Sequence, residues 1–409
     1  MKKLGFVLFF VSILSTGFSQ HWIPQEQDTT FISKNQFSIE GIGQFNGNAL
    51  TSAFVNPFFY GGYLSDQIKN NALERHRSFS NLFAMDLGVH FQFDLNKSEV
   101  FNHSNVGWSF KLSRRNYLAI QYPKSLFQLA FYGNTNLTDS LANFSGTRLA
   151  YYDYQKLGIG IINKKFNSLI HLNLVNVRNI QNFSIYQGFI EQNANDSLLI
   201  LLNSKQTSSN REAFPLFMNG FGLSLDIDKK FFILKENKKP LYFRMKLSDF
   251  GVVFLPNSDV NRVDSLGVID GESYDELSSP SSIMNTEGTV FEIFGFQNEK
   301  RNSWLFLPFT FQMSKCVDLK STNRFQEFYG IKYQYLIDMQ VFLGLDYKWA
   351  LSNKLDYHIG INASYGGASK FMYGSYSYLK LKNFSLGVVS ENLMMKSGES
   401  LKMSLTCDL

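Results

Sequence analysis

Apolar and polar residues alternate along several long stretches of the chain. Residues 83–95, 339–351, 355–365 and 401–409 place apolar side chains at every second position, with mostly small, polar or charged residues between them. Successive side chains of a strand point to opposite faces, so this period of two predicts strands with one apolar face and one polar face. Each stretch reaches the roughly 9 to 11 residues that a strand needs to cross a bilayer.

Shorter or weaker versions of the same pattern recur along most of the chain, at hairpin spacing. A soluble β-sandwich is the alternative, but it predicts strands of roughly 5 to 6 residues and a chain of this length divided into several domains. No linker rich in Pro, Gly or Ser divides the chain. We therefore predict an all-β fold, a single antiparallel transmembrane β-barrel of about 14 strands.

The predicted connections are of two kinds. Tight turns are expected at 163–165, 352–353 and 382–383, and long polar loops at 134–147, 190–213 and 257–289. Short periplasmic turns that alternate with long extracellular loops are typical of outer-membrane barrels. Residues 123–134 fit either a short helix or a bent strand, because periodicity cannot separate these for a short apolar run.

The segment 46–80 differs from the other connections. It begins with the run Asn56, Pro57, Phe58, Phe59 and Tyr60 and continues into a stretch of mixed charge. We interpret it as an N-terminal segment near or inside the lumen, lining or plugging the barrel near its periplasmic mouth. An ordinary loop or helical turn on the periplasmic rim stays open as the alternative.

The N-terminus predicts export. Met1, Lys2 and Lys3 precede an apolar run that ends near Leu14, and small residues occupy the expected positions before a cut after Ser19. This is the pattern of a cleaved signal peptide over residues 1–19, with an uncleaved membrane anchor as the alternative. Residues 20–409 then form the barrel, which we expect in a Gram-negative outer membrane, in contact with outer-membrane lipid.

Composition narrows the class of protein further. The chain has 409 residues and a formal charge of +5, with 16% aromatic and 18% charged residues. The charge is too small and too dispersed to indicate nucleic-acid binding. No apolar run beyond the N-terminus is long enough for a transmembrane helix. The two cysteines, Cys316 and Cys407, are expected to be free thiols, with a disulfide between them as the alternative.

The candidate chemistry is sparse. The residues expected to face the lumen carry both signs of charge: Asp86, His90, Lys111, Asp226, Arg244, Lys246, Asp346, Lys348, Asp356 and His358. Mixed signs favour ion pairs across the lumen or a partly closed lumen over an ion-selective pore. Asp356 and His358 share a face, but side chains two apart on a strand start roughly 6.6 Å apart and pair only by leaning together. We predict no enzymatic activity, no cofactor and no metal site.

Two further residues stand out. Asp249 precedes Phe250 and Gly251 and is interpreted as a turn residue, with a ligand role as the alternative. Pro308 lies in an otherwise good strand pattern, where it removes a backbone donor and so predicts a bulge or kink.

Several short stretches occur in the order seen in one family. They are Asn56-Pro57, Gly133-Asn134, residues 152–160, residues 220–226, residues 246–251, Leu307-Pro308 and residues 364–367. In this order the chain resembles an uncharacterised family of Bacteroidota outer-membrane barrels, a domain of unknown function, which is distantly similar to the FadL-type fatty-acid transporter barrels. The final Leu409 departs from the aromatic residue that often ends such barrels. The resemblance implies a fold and a location, and it assigns no functional residues.

Two functions stay open. The FadL-like resemblance implies passive transport of small hydrophobic or amphipathic molecules, with an apolar pocket lined by Phe58, Phe59 and Tyr60, and with Pro308 as a kink that opens the wall sideways or as a plain rim bulge. The alternative is a non-enzymatic accessory or scaffold subunit of an outer-membrane secretion, assembly or motility complex. That alternative predicts a blocked lumen and another outer-membrane protein as partner.

Overall fold

The computed structural model describes most of the chain after the N-terminus. The described residues are 34–96, 100, 103–133, 141–165, 168–192, 198–210, 218–233, 241–269, 297–315, 317–318, 322–352, 355–393 and 398–409. The predicted signal peptide, 1–19, and Cys316 lie outside them, and Cys407 is a free thiol.

Seventeen strands and three helices make up these residues. The strands are β1 (Gln36–Gly47), β2 (Asn81–Leu95), β3 (Val106–Tyr122), β4 (Leu141–Asn143), β5 (Arg148–Asn163), β6 (Ser168–Gln192), β7 (Leu198–Ser208), β8 (Gly220–Ile233), β9 (Leu241–Ile269), β10 (Gln297–Phe306), β11 (Thr310–Lys315), β12 (Phe325–Gln334), β13 (Asp338–Ser352), β14 (Leu355–Gly366), β15 (Ser369–Leu381), β16 (Phe384–Ser390) and β17 (Gly398–Asp408). The helices are α1 (Ser52–Tyr60), α2 (Asp66–Arg75) and α3 (Lys124–Tyr132).

The strands close into an antiparallel barrel with 14 strand positions, which confirms the predicted fold. The first strand pairs with the last, from Gln36 opposite Asp408 to Asn46 opposite Gly398, and also with β2. Closure leaves the ring without a free edge, which satisfies the backbone donors and acceptors of the wall. Among the described pairings, β4 and β10 have a neighbour on one side only, β6 and β9 respectively.

Three positions in the ring are shared by two strands that lie end to end, the first of them by β4 and β5, which both pair with β6. β7 and β8 both pair with β6, and β10 and β11 both pair with β9. The long strands β6 and β9, of 25 and 29 residues, span both members of each pair. The loops predicted at 190–213 and 257–289 are therefore partly wrong, since β7 and the end of β9 occupy much of them, and residues 270–289 lie outside the described residues.

The two rims of the barrel differ in their connections. The chain ends near Gln36 and Asp408 share one rim, here the near rim, with short turns such as residues 382–383. The opposite, far rim carries longer connections, including those between β1 and β2 and between β3 and β5. Long loops mark the extracellular side of outer-membrane barrels, so the far rim is assigned to that side.

All three helices lie at the far rim, against the outside of the wall. Gln44 and Asn46 line a small cavity in the lumen, so Phe45 between them faces outward. The helices pack onto Phe45 and onto other outward residues of β2 and β3: Phe83, Met85, Leu118, Ile120 and Tyr122. We call α1, α2 and α3 together the helical collar.

The segment 46–80 thus contributes to this external collar. Its helices α1 and α2 cover the outward face at the far rim, whereas the sequence had suggested the lumen or its periplasmic mouth. The physical reason is that the outward ends of β1 to β3 carry large apolar side chains, which the three helices bury against the wall. Thr51 caps α1 by accepting a bond from the Phe54 amide at 3.2 Å. Residues 124–132 are helical, which decides the alternative left open for 123–134.

Candidate functional site

The lumen is arranged in layers that can be followed along β3. From the near rim its inward residues are Ser109, Lys111, Ser113, Arg115, Tyr117 and Ala119. The inward residues of β2 and β9 follow a similar order, polar or charged at the near rim, charged in the middle and apolar towards the far rim. On β5, Lys156 holds the charged middle position, with Tyr154, Tyr152 and Ala150 on its far side. Three layers result, which we call the vestibule, the ion layer and the apolar layer.

Arg115 is the centre of the ion layer. Its guanidinium binds Asp86 through two nitrogens, with Nε at 2.8 Å from Oδ1 and Nη2 at 2.7 Å from Oδ2. Its Nη1 donates to Asp249 Oδ2 at 2.6 Å and to the carbonyl of Pro308 at 2.9 Å. Bidentate Arg–carboxylate contacts combine charge with fixed geometry, so this residue ties together β2, β3, β9 and the break between β10 and β11.

Two lysines complete the ion layer. Lys111 Nζ lies 2.8 Å and Lys156 Nζ lies 2.9 Å from Asp226 Oδ2, and Lys156 also pairs with Asp249. The Asp249 amide donates to Asp226 Oδ1 at 2.7 Å. Three carboxylates and three cations therefore neutralise one another, which is what allows charged groups to remain in a nearly dry interior.

Contacts across the full diameter close the lumen. Gln334 on β12 donates from Nε2 to Asp86 Oδ2 on β2 at 3.2 Å, and these strands are seven positions apart in the ring of 14. Tyr117 on β3 donates to the carbonyl of Tyr335, just beyond β12. Opposite walls therefore touch through their side chains.

The apolar layer covers the ion layer on the far side. Its fully buried members include Tyr152, Tyr154, Val177, Val253, Leu255 and Leu307. Leu307 comes from the break between β10 and β11, where its amide donates to the Gly251 carbonyl at 3.0 Å. The tyrosine hydroxyls of this layer bond to protein groups and its other side chains are apolar, so the layer opposes the passage of water and ions.

The vestibule is open by contrast. A cavity of about 250 Å³ extends from the near rim towards the ion layer, and its lining includes Gln36, Lys246, Gln312, Lys402 and Asp408. Both signs of charge line it, as predicted for the inward residues. It contains none of the aromatic residues Phe58, Phe59 and Tyr60 that the transport interpretation placed in an apolar pocket.

A second buried group lies in β13 to β15. His358 Nδ1 is 2.9 Å from Asp346 Oδ2, and the Tyr376 hydroxyl donates to Asp346 Oδ1 at 2.5 Å. Asp356, which the sequence paired with His358, instead lies 3.3 Å from Lys348. No serine, threonine or cysteine hydrogen bond to His358 is present among the described residues, so the group has the geometry of a structural bond network.

The structure places the predicted site residues in two regions. Asn56, Pro57, Phe58, Phe59 and Tyr60 belong to α1 in the collar, where the last three are exposed. Pro308 lies between β10 and β11, where the register moves from Phe306 opposite Val252 to Thr310 opposite Ser248.

Sequence reasoning missed Arg115 and Lys156. The alternation that placed Lys111 in the lumen also places Arg115 there, so the signal was present in β3. Asp249 was interpreted as a turn residue, but it lies inside β9, at a register shift opposite β8 that explains its φ of 62°. Its carboxylate belongs to the ion layer. Within the described ranges, no three His, Cys, Asp or Glu side chains are grouped so that they could hold a metal ion. No helix in the described part of the chain is long and apolar enough to cross a membrane.

The outward face completes the description of the barrel. Leu172, Leu174, Leu343, Leu345 and Ile361 are exposed apolar residues on the wall. A closed barrel with an outward apolar band and a polar interior is the architecture of outer-membrane β-barrels, and the chain has this architecture.

Matches to known proteins come from solved structures alone. No protein-family model matches the chain, and no curated protein matches it. The solved toluene transporter TodX of P. putida is similar over 92% of this chain and 90% of that chain, with 9% identity and a TM-score of 0.34. The translocator domain of the autotransporter NalP from Neisseria meningitidis matches over 92% and 89%, with 6% identity and a TM-score of 0.28. Pseudomonas aeruginosa OccK11 matches over 95% and 99%, with 9% identity and a TM-score of 0.24. Likeness at this level carries no argument about function.

Proposed function

We propose that the protein is a non-conducting outer-membrane barrel that acts as an accessory or scaffold subunit of an outer-membrane complex. The observation that carries this proposal is the closed lumen, in which the ion layer and the apolar layer join opposite walls. Passive passage through a lumen needs a continuous polar or apolar path, and neither layer provides one.

The energetics of the ion layer argue against frequent opening. Moving Arg115 away would leave Asp86 buried without the guanidinium that neutralises it, and would leave Asp249 with Lys156 alone. Removing one partner of a buried ion pair costs about 3–5 kcal/mol. Each 1.4 kcal/mol is about a tenfold change in population, so an opened lumen would be rare without an external trigger.

A second feature supports a role in contacts beyond the membrane. β9 has 29 residues, roughly 95 Å of strand, whereas about 9 to 11 residues cross the bilayer. Together with β6, β7 and β10 it continues the wall as a sheet on the far side. Such an extension presents a rigid surface to another protein at the cell surface.

Thiol labelling tests the closed lumen. In a background with Cys316→Ser and Cys407→Ser, Ser404→Cys places a thiol in the vestibule and Ala119→Cys places one in the apolar layer. We expect a charged thiol reagent to modify position 404 from the periplasmic side and to leave position 119 unmodified from both sides. Rapid labelling of position 119, or ion conductance of the purified protein in planar bilayers, would refute a closed lumen.

Purification tests the scaffold role. The tagged protein, extracted from outer membranes in mild detergent and cross-linked before extraction, should carry a stoichiometric partner protein detectable by mass spectrometry. A barrel that purifies alone, with a bound lipid or small apolar molecule, would contradict the scaffold role and favour transport.

Transport of small hydrophobic or amphipathic molecules is the second candidate, and the break at Pro308 is the observation that favours it. The wall is interrupted at residues 307–309, and Arg115 binds the carbonyl of Pro308. A lateral passage would open there if this contact were released. Pro308→Ala should then change the uptake of an amphipathic dye in cells that depend on this protein, and unchanged uptake would eliminate this candidate.

A further inference from the structure

The exposed face of α1 is aromatic and uncharged. Its last three residues, Phe58, Phe59 and Tyr60, are each at least half exposed, at 62%, 50% and 66%, and Tyr63 follows at 81%. No Asp, Glu, Lys or Arg occurs in Ser52–Tyr60. So many exposed rings on one short segment indicate a surface that another phase or molecule covers.

This face continues the lipid-facing wall. The ring centroids of Phe59 and Phe45 are 5.9 Å apart, and Phe45 is an outward residue of β1. Eight residues separate Phe37, near the near rim, from Phe45, which corresponds to roughly 20 Å along the barrel axis for a strand tilted by about 40°. The apolar band of such barrels is about 25 Å tall, so α1 lies close to its upper edge, where aromatic girdles occur.

The neighbouring helix has the opposite character. α2 carries Asp66, Lys69, Glu74 and Arg75, and Lys69 Nζ pairs with Asp66 at 3.0 Å on the exposed side. Gly61 and Gly62, both with positive φ, make the bend between α1 and α2. The collar therefore has an aromatic edge and a charged edge, which is the distribution expected at a boundary between lipid and water.

We infer that the aromatic edge of α1 is embedded in the headgroup region of the outer leaflet, so that the collar is an interfacial lipid anchor. The occupant of this face is the bilayer itself, because the face is continuous with the lipid-facing wall and lacks the charges that would keep it in water. Aromatic rings with an apolar body and a polar tip favour this depth. The inference does not depend on the scaffold proposal, since it concerns only the outside of the wall.

Spin labelling measures the depth directly. In the full mature chain with Cys316→Ser and Cys407→Ser, a nitroxide is attached at Phe59→Cys, and the protein is placed in phosphatidylethanolamine–phosphatidylglycerol vesicles. Leu343→Cys on the lipid-facing wall is the lipid control, and Glu74→Cys on α2 is the water control. All three sites are exposed, so a label should not prevent folding.

We expect the label at position 59 to collide with oxygen more than with a water-soluble nickel chelate, as the label at 343 does, while the label at 74 shows the reverse. A label at 59 that matches the one at 74 would place α1 in water and overturn the inference. A label at 59 that neither reagent reaches would also overturn it, because the face would then be covered by protein, either a second copy or a partner.

Discussion

The two halves of the lumen share one wall but differ in how it is filled. Towards the far rim the inward side chains are large and touch across the barrel, as Tyr117 and Tyr154 do, whereas towards the near rim they leave a cavity of about 250 Å³. The ion layer lies at the boundary, where Arg115, Lys111 and Lys156 meet the three aspartates. A barrel wall alone therefore does not make a pore, because the size and pairing of the inward residues decide whether it is open.

The ion layer gives the largest expected effect. Arg115→Ala leaves Asp86 buried without the guanidinium that neutralises it and leaves Asp249 with Lys156 alone. It should destabilise the fold by about 3–5 kcal/mol.

The pair of Lys69 with Asp66 on α2 is the control, since it lies outside the wall, where water can replace a lost partner. Lys69→Ala should leave the unfolding midpoint nearly unchanged, because ion pairs exposed to water add little stability. Urea unfolding in vesicles measures the free energy of unfolding of both variants. Equal losses of stability would mean that the ion layer is not the boundary between the packed half and the open half of the lumen.

The lipid-facing side of the wall gives the next effect. Leu345→Arg puts a charge on the outward face near the middle of β13 and should cost about 2–4 kcal/mol. From the alternation, Gly344→Arg would be the inward control, but a side chain there would collide with the Phe328 ring. Ser404→Arg, which points into the vestibule, is the better control and should fold well. Folding is measured as the fraction of protein whose apparent mass on gels changes on boiling. Similar fractions for both variants would show that the assignment of outward and inward side chains is wrong.

Loss of a single hydroxyl compares the two halves more finely. Tyr117→Phe leaves the Tyr335 carbonyl without its donor inside the packed half and should cost about 1–3 kcal/mol. Thr406→Val removes a hydroxyl from the vestibule, where water can replace it, and should change stability by less than about 0.5 kcal/mol. If both variants unfold at the same urea concentration as the parent, the packed half is hydrated after all.

The smallest effect concerns pH at the far rim. Burial lowers the pKa of His76 below its usual 6.5, and its ring packs on Phe127 with Nδ1 donating to the Ala72 carbonyl at 2.6 Å and Nε2 accepting from the Tyr122 hydroxyl at 3.0 Å. Because the folded pKa is below the unfolded one, the stabilisation is complete above about pH 6.5 and is lost as the pH falls.

Hydrogen exchange of the helical collar measures this dependence. Exchange of α1 and α2 should accelerate from pH 7 to pH 5, after correction for the intrinsic rates. His76→Phe, which keeps the ring contact with Phe127, should abolish the acceleration. If His76→Phe keeps the full pH dependence of exchange, a titrating group other than His76 causes it.

The positions of the strands, and the side of the wall to which each side chain points, were predictable because both depend on local alternation. Leu345 and Ile361 face outward, and Asp86, Asp226 and His358 face inward, as their period of two requires. The same alternation, applied to β3 and β5, would also have placed Arg115 and Lys156 in the lumen. Every member of the ion layer except Asp249 would then have been found. The partner of His358 was not predictable, because Asp346 and Asp356 lie on neighbouring strands and only the register between them selects Asp346.

The sequence by itself determined the class of fold, since alternation sustained over the length of a membrane-spanning strand permits few other architectures. It also determined that the lumen carries both signs of charge. Only the tertiary structure decided that the lumen is closed, that residues 46–80 contribute to a collar outside the wall, and that Pro308 lies at a break held by Arg115. The physical reason is that these features depend on contacts between residues up to about half the ring apart, which the barrel brings together and local periodicity does not encode.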